Sequence, residues 1–143
     1  MSRLRLRQNR FADAIEMAQL AYEERTARLK PSSRSVTDLQ EIMAESLMGL
    51  KRTAEAEQVM QDLGRQYDMD GDEMDRLAMS RLDAMLRFHE GDFKGGRTEL
   101  QNAWSRMVSM ETTRTPLGKS IRRNLDMMDA HLEDGEAKAA ILR

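Results

Sequence analysis

Four stretches of this chain open alike: "NRFADAIEMAQLAY" from Asn9, "KRTAEAEQVMQDLG" from Lys51, "GDFKGGRTELQNAW" from Gly91 and "DGEAKAAILR" from Asp134. Each begins with a polar turn, places a small residue a few positions on, and then runs apolar at helical spacing. The small residues are Ala14, Ala56, Gly96 and Ala140, separated by 42, 40 and 44 residues. Self-similarity at such an interval points to one supersecondary unit stacked on copies of itself. It also sharpens a local question. Gly95 and Gly96 stand together in a segment otherwise suited to helix, although each costs about 1 kcal/mol there relative to alanine.

Apolar residues recur at three- and four-residue steps through Leu39, Ile42, Met43, Leu47 and Leu50, and again through Ala56, Val59, Met60 and Leu63. The same spacing returns in Met74, Leu77, Ala78, Leu82, Met85 and Leu86, in Leu100, Ala103, Trp104, Met107 and Val108, and in Ile121, Leu125, Met128 and Leu132. Each set marks one face of a helix. Pro31 and Pro116 precede two of these patterns, where proline suits a helix entry, and Thr37 is the expected cap of the helix after Pro31. The turns "DMDGD", "HEGDF", "METTRTP" and "EDGE" are expected to end helices. No segment reads as strand, and three Phe, two Tyr and one Trp against thirteen Met is a composition poor in strand formers. The expected fold class is all-α, with short connections making neighbours antiparallel.

The frame Gly91, Phe93, Gly96, Leu100 and Ala103, matched by Asn9, Phe11, Ala14, Ala18 and Ala21, resembles the tetratricopeptide repeat (TPR). Units of that family are two antiparallel helices with a turn glycine, an aromatic soon after it and a small residue early in the second helix. The stretch from Lys51 keeps Ala56 and Met60 but has Thr53 at the aromatic position. An interval near 42 exceeds the 34 of the common repeat and is similar to the longer-helix repeats of kinesin light chains. The resemblance implies antiparallel helical hairpins stacked as a right-handed solenoid. Residues 1–143 then form a single repeat domain with a partial unit at 1–30, units at 31–68 and 69–112, and a partial unit at 113–143. Gly96 would lie where the two helices of a hairpin approach closely, and Gly95 would be incidental or serve turn flexibility.

What the resemblance implies for function is a non-enzymatic scaffold or adaptor. A peptide or partner helix would lie in a groove lined by the first helices, here near 36–50, 72–89 and 117–132. Gln40, Arg76, Arg87, Lys119 and Arg123, on the non-core face, are the candidate partner contacts. The competing reading is a regulatory or sensory helical segment of a larger kinase, protease or transcription regulator. Leu4 and Leu6 at one end, and Ile141 and Leu142 at the other, belong to incomplete units, so a segment of a longer array, or contact with a second copy, is expected there.

Charge and motifs narrow the other classes. A net charge of −2, from 23 basic and 25 acidic residues, provides no whole-molecule field for nucleic acid or anionic membrane. A nucleic-acid reading would rest on Arg122, Arg123 and the arginines at 3, 5, 7 and 10, which read instead as solvated helix surface. With no cysteine there is no disulfide, thiol nucleophile or thiolate zinc site. The alternating Asp68, Asp70 and Asp72 suggest a calcium loop, but the required glycine is Glu73 and the twelfth-position glutamate is Met79. His89 and His131 fit no metal or nucleophile signature, no glycine loop has phosphate-binding spacing, and no catalytic residue, metal or cofactor is expected. No apolar run reaches bilayer-spanning length, and the expected location is the cytoplasm. Most methionines on the first helices are expected in the core, and Trp104 between helices.

Overall fold

The computed structural model describes residues 2–7, 10–30 and 33–142, and for residues 4, 6, 7, 68–70 and 142 the backbone alone. Helices follow one another: α1 (Ser2–Arg7), α2 (Phe11–Thr26), α3 (Arg34–Gly49), α4 (Thr53–Asp70), α5 (Glu73–His89), α6 (Phe93–Ser109) and α7 (Pro116–Leu142). There is no strand among the described residues, and the chain is all-α. Asn9, Pro31 and the side chains of Leu4, Leu6, Asp68, Asp70 and Leu142 lie outside the described residues. Two compact units divide the chain, Met1–Leu82 (unit 1) and Asp83–Arg143 (unit 2).

The interval seen in the sequence reappears in backbone geometry. The residues before α2, α4 and α6 are Arg10 (φ −92°, ψ 68°), Arg52 (φ −97°, ψ 61°) and Asp92 (φ −84°, ψ 71°). Four residues after each comes the small position, whose N–H donates to the residue before the helix: Ala14 to Arg10 O at 2.9 Å, Ala56 to Arg52 O at 3.1 Å, and Gly96 to Asp92 O at 3.0 Å. All three small residues are buried. Ala140 does not share this environment. It is exposed within α7, which runs through "EDGE" without a break. Gly135 stands alone among good helix formers there, and a single glycine lowers helix stability without ending the helix.

The turns into α4 and α6 are also copies of each other, one in each unit. After α3 the N–H of Arg52 donates to Leu47 O at 2.8 Å, and that of Lys51 to Met48 O at 3.0 Å. Forty residues later Asp92 donates to Arg87 O at 2.9 Å, and Gly91 to Phe88 O at 3.2 Å. This Schellman closure satisfies the last carbonyls of the helix and needs one residue in the left-handed region. Gly91 takes it at φ 101°, and Lys51 takes it at φ 64° with a side chain attached. A left-handed non-glycine residue carries about 1–2 kcal/mol of strain. Lys51→Gly is therefore expected to raise stability by about 0.5–1 kcal/mol, net of the entropy glycine adds to the unfolded chain. Urea unfolding followed by circular dichroism reads this directly.

In unit 1, α3 packs against α2 and α4. Ala18, Leu39 and Ile42 form a buried cluster with Ala21, Tyr22 and Met43 against it. In unit 2, α6 packs on α7, with Leu100, Ala103, Met107, Ile121, Leu125 and Met128 buried. Met48, Met85 and Met128 are core, Met43, Met74 and Met79 are half-buried, and Met127 is exposed. Two expectations need correction. Val108 is 53% exposed because it falls one position past Met107, off the stripe that faces α7. Thr37 does not cap α3. It is buried one turn inside the helix, its hydroxyl donating to Arg34 O at 3.2 Å.

Candidate functional site

The most concentrated chemistry in unit 1 is a buried polar layer joining α3, α4 and α5. Arg81 on α5 is 3% exposed and pairs with Glu45 of α3. One turn earlier on α3, Glu41 accepts a hydrogen bond of 2.6 Å from the Tyr67 hydroxyl of α4. Asp75, at the start of α5, has Oδ1 3.4 Å from Nη2 of Arg34, an ion pair without hydrogen-bond geometry. Its backbone N–H donates to Asp72 Oδ1 at 2.9 Å, which closes the first turn of α5.

Burial sets the electrostatics of this layer. It pushes the Glu41 carboxyl above the ordinary glutamate value, against the opposing pull of Arg81 and the Tyr67 hydrogen bond. Burial, and then the adjacent Glu41 carboxylate, push the Tyr67 phenol well up, so that it remains a donor. For Arg81, burial works against the charge, and the Glu45 and Glu41 carboxylates outweigh it. The layer therefore holds a permanent guanidinium paired with Glu45 in the field of the Glu41 carboxyl.

The five sequence-derived contact residues meet different environments. Gln40 is the clear correction. It was placed on the non-core face, but it is 5% exposed and its Oε1 is buried with no hydrogen-bond partner. The reason is register: Gln40 follows Val36 by four residues and precedes Leu47 by seven, which puts it on the packed face of α3. Arg76, also in unit 1, is exposed, with Nη1 3.7 Å from Glu73 Oε2. In unit 2, Arg87 is exposed and lies 3.3 Å from Glu99 Oε2 across α5 and α6. Lys119 and Arg123 are exposed on α7, and Arg123 Nη2 donates to Ser120 Oγ at 3.1 Å.

Unit 2 carries three further side-chain contacts. Phe88, Phe93 and His131 gather with ring centroids 4.6–5.1 Å apart, the His131 ring edge-on to Phe88 and tilted against Phe93, midway along α7. The Arg122 guanidinium lies 5.4 Å over the Trp104 ring, linking α7 to α6. Arg97 donates to Asp129 at 2.8 Å, which holds that carboxyl below the usual aspartate value.

Arg81, Glu41, Glu45 and Tyr67 were not singled out from the sequence. A signal was present for Arg81, which lies four residues after Leu77 and four before Met85, on the apolar stripe of its helix. Among the described residues no group of three or more His, Asp or Glu is placed to hold a metal ion, and no helix is long and apolar enough to cross a membrane. No family model, curated protein or solved structure matches the chain.

Proposed function

We propose that the chain is a non-enzymatic protein-interaction module, built of antiparallel helical hairpins stacked as a right-handed, TPR-like solenoid. The observation that supports this reading is the forty-residue recurrence of one turn, hydrogen bond for hydrogen bond, at Leu47–Ala56 and Arg87–Gly96. Stacked repeats divide their residues between holding the array together and presenting a continuous surface to a partner. In this reading α3, α5 and α7 are the first helices of successive hairpins and supply the partner surface. Arg76, Arg87, Lys119 and Arg123 remain candidate contacts, because they are exposed cations on those helices. Gln40 is withdrawn from that set. The described residues 133–141 of α7 are all exposed, and this is the segment that contact with a second copy would use.

Capture with the intact protein, followed by cross-link mapping of the captured segment, tests the reading. The expected result is a peptide or helix mapped to α3, α5 or α7, with affinity reduced about tenfold or more by joint reversal of Arg76, Lys119 and Arg123 to Glu. Cross-links confined to other helices, or capture unchanged by the reversal, would overturn it. Binding of nucleic acid with a steep loss on added salt would support the alternative carried by the arginines.

A further inference from the structure

We propose that Glu41 takes up a proton in the folded chain at a pH where the unfolded chain does not, because Glu41 and Glu45 stand one turn apart on α3 in the layer that holds the buried guanidinium of Arg81. The geometry sets the charge count. Arg81 is 3% exposed and pairs with Glu45, while Glu41 lies in the same layer with the Tyr67 hydroxyl 2.6 Å from its Oε1. One cation cannot neutralise two carboxylates, and surplus negative charge in a dehydrated layer is costly. A proton on Glu41 removes the surplus and leaves Oε1 able to accept from Tyr67.

Groups on the neighbouring helices fix which way the balance falls. From α4 comes Tyr67, and from α5 come Arg81 and the Asp75 carboxylate, with Asp75 held by Arg34 at the start of α3. Arg25 of α2 turns to the Ser35 carbonyl, 3.2 Å away, at the far end of α3 from Glu45. On α3 itself Asp38 and Glu45 add negative charge beside Glu41. Desolvation is the largest influence and raises the Glu41 value, and Arg81 and Tyr67 oppose it without reversing it.

The sign of the linkage follows. A carboxyl whose value is raised on folding binds its proton more tightly in the folded chain. Its contribution to stability is fully present below the ordinary glutamate value and is lost as pH rises through the raised one. The Glu41 contribution thereby favours the folded state as pH falls, the reverse of the usual response of a paired carboxylate such as Asp129. This property does not depend on the proposed partner surface and stands or falls separately from it.

A carboxyl-carbon NMR titration of the full chain tests the inference, together with urea unfolding across the same pH range for the parent and for Glu41→Gln. The expected midpoint for Glu41 in the folded chain lies above its own midpoint in the urea-unfolded chain. Between the two midpoints the parent's unfolding constant should rise with pH by up to about tenfold per unit, and this slope should be absent in Glu41→Gln. A folded midpoint at or below the unfolded one overturns the proposal. So does a slope that survives in Glu41→Gln, which would place the proton on another group. Should Glu41→Gln fail to fold, the titration of the parent decides alone.

Discussion

Replacing Arg81 with alanine is expected to cost about 3–5 kcal/mol, the range for removing one partner of a buried ion pair. The cause is less the lost attraction than what remains. Glu45 would lose its partner with a side chain only 15% exposed, and Glu41 would lose the cation that opposes its desolvation. Single domains are stable by only about 5–15 kcal/mol, so a loss of this size takes much of the margin. Urea unfolding at neutral pH gives the value. The double variant Arg81→Met, Glu45→Leu provides the decisive contrast, because an apolar pair of similar volume removes both charges together. It should recover most of the loss. If Arg81→Ala unfolds within about 1 kcal/mol of the parent, the guanidinium is hydrated in solution and the buried layer is not the feature that couples α3 to α5.

Exposed ion pairs elsewhere make a useful comparison. Arg28 with Glu24, Arg52 with Glu55 and Arg122 with Asp126 join residues three or four apart, at the end of α2, the start of α4 and within α7, with both side chains exposed. Such pairs add little to stability, because water screens both charges, and they weaken with salt. Charge bears on stability chiefly where it is carried into the interior, as at Arg81 and Asp75.

Much of the helical order was legible because its cause is local. Apolar residues at three- and four-residue steps fix a helix face whatever the helix packs on. Leu39, Ile42, Leu63, Leu82, Leu100 and Ile121 are buried as that rule requires. The turns were legible for a related reason, since Gly91 and the polar residues around Lys51 satisfy the geometry that ends a helix. Polar residues in core register were not legible, because hydropathy alone cannot say whether Gln40 or Arg81 is buried. For Arg81 that depends on a partner from another helix, Glu45, 36 positions away (81 − 45). Thr37 illustrates the same limit on a smaller scale: its hydroxyl suits an N-cap, but the helix begins one turn earlier at Arg34. Gly135 reads as punctuation in the sequence, but it sits inside α7 without the left-handed turn that closes α3, α5 and α6 at Lys51, Gly91 and Glu111.

The paired glycines give the last and most local test of the architecture. A methyl group built at Gly96 would lie 2.6 Å from the Ala84 carbonyl oxygen and 3.1 Å from the Phe88 nitrogen, both backbone atoms of α5. No rotamer change relieves such contacts, so the two helices must move apart. Gly96→Leu is expected to cost about 3 kcal/mol, the upper end for overpacking a tight site, and Gly96→Ala a smaller part of it. Gly95 has a different task. Its N–H donates at 3.0 Å to Asp92, which caps α6, and a methyl group there would overlap that carboxylate. Gly95→Ala thus gains about 1 kcal/mol of helix propensity and loses a cap of about the same size, for a net change near zero. The equivalent positions Ala14 and Ala56 each hold one methyl in full burial, so the approach at Gly96 is closer than at either. Urea unfolding of the three variants separates these effects. Should Gly96→Leu prove as stable as the parent, α6 would not lie on α5 in this register, and the recurrence at Ala56 and Gly96 would have lost its packing explanation.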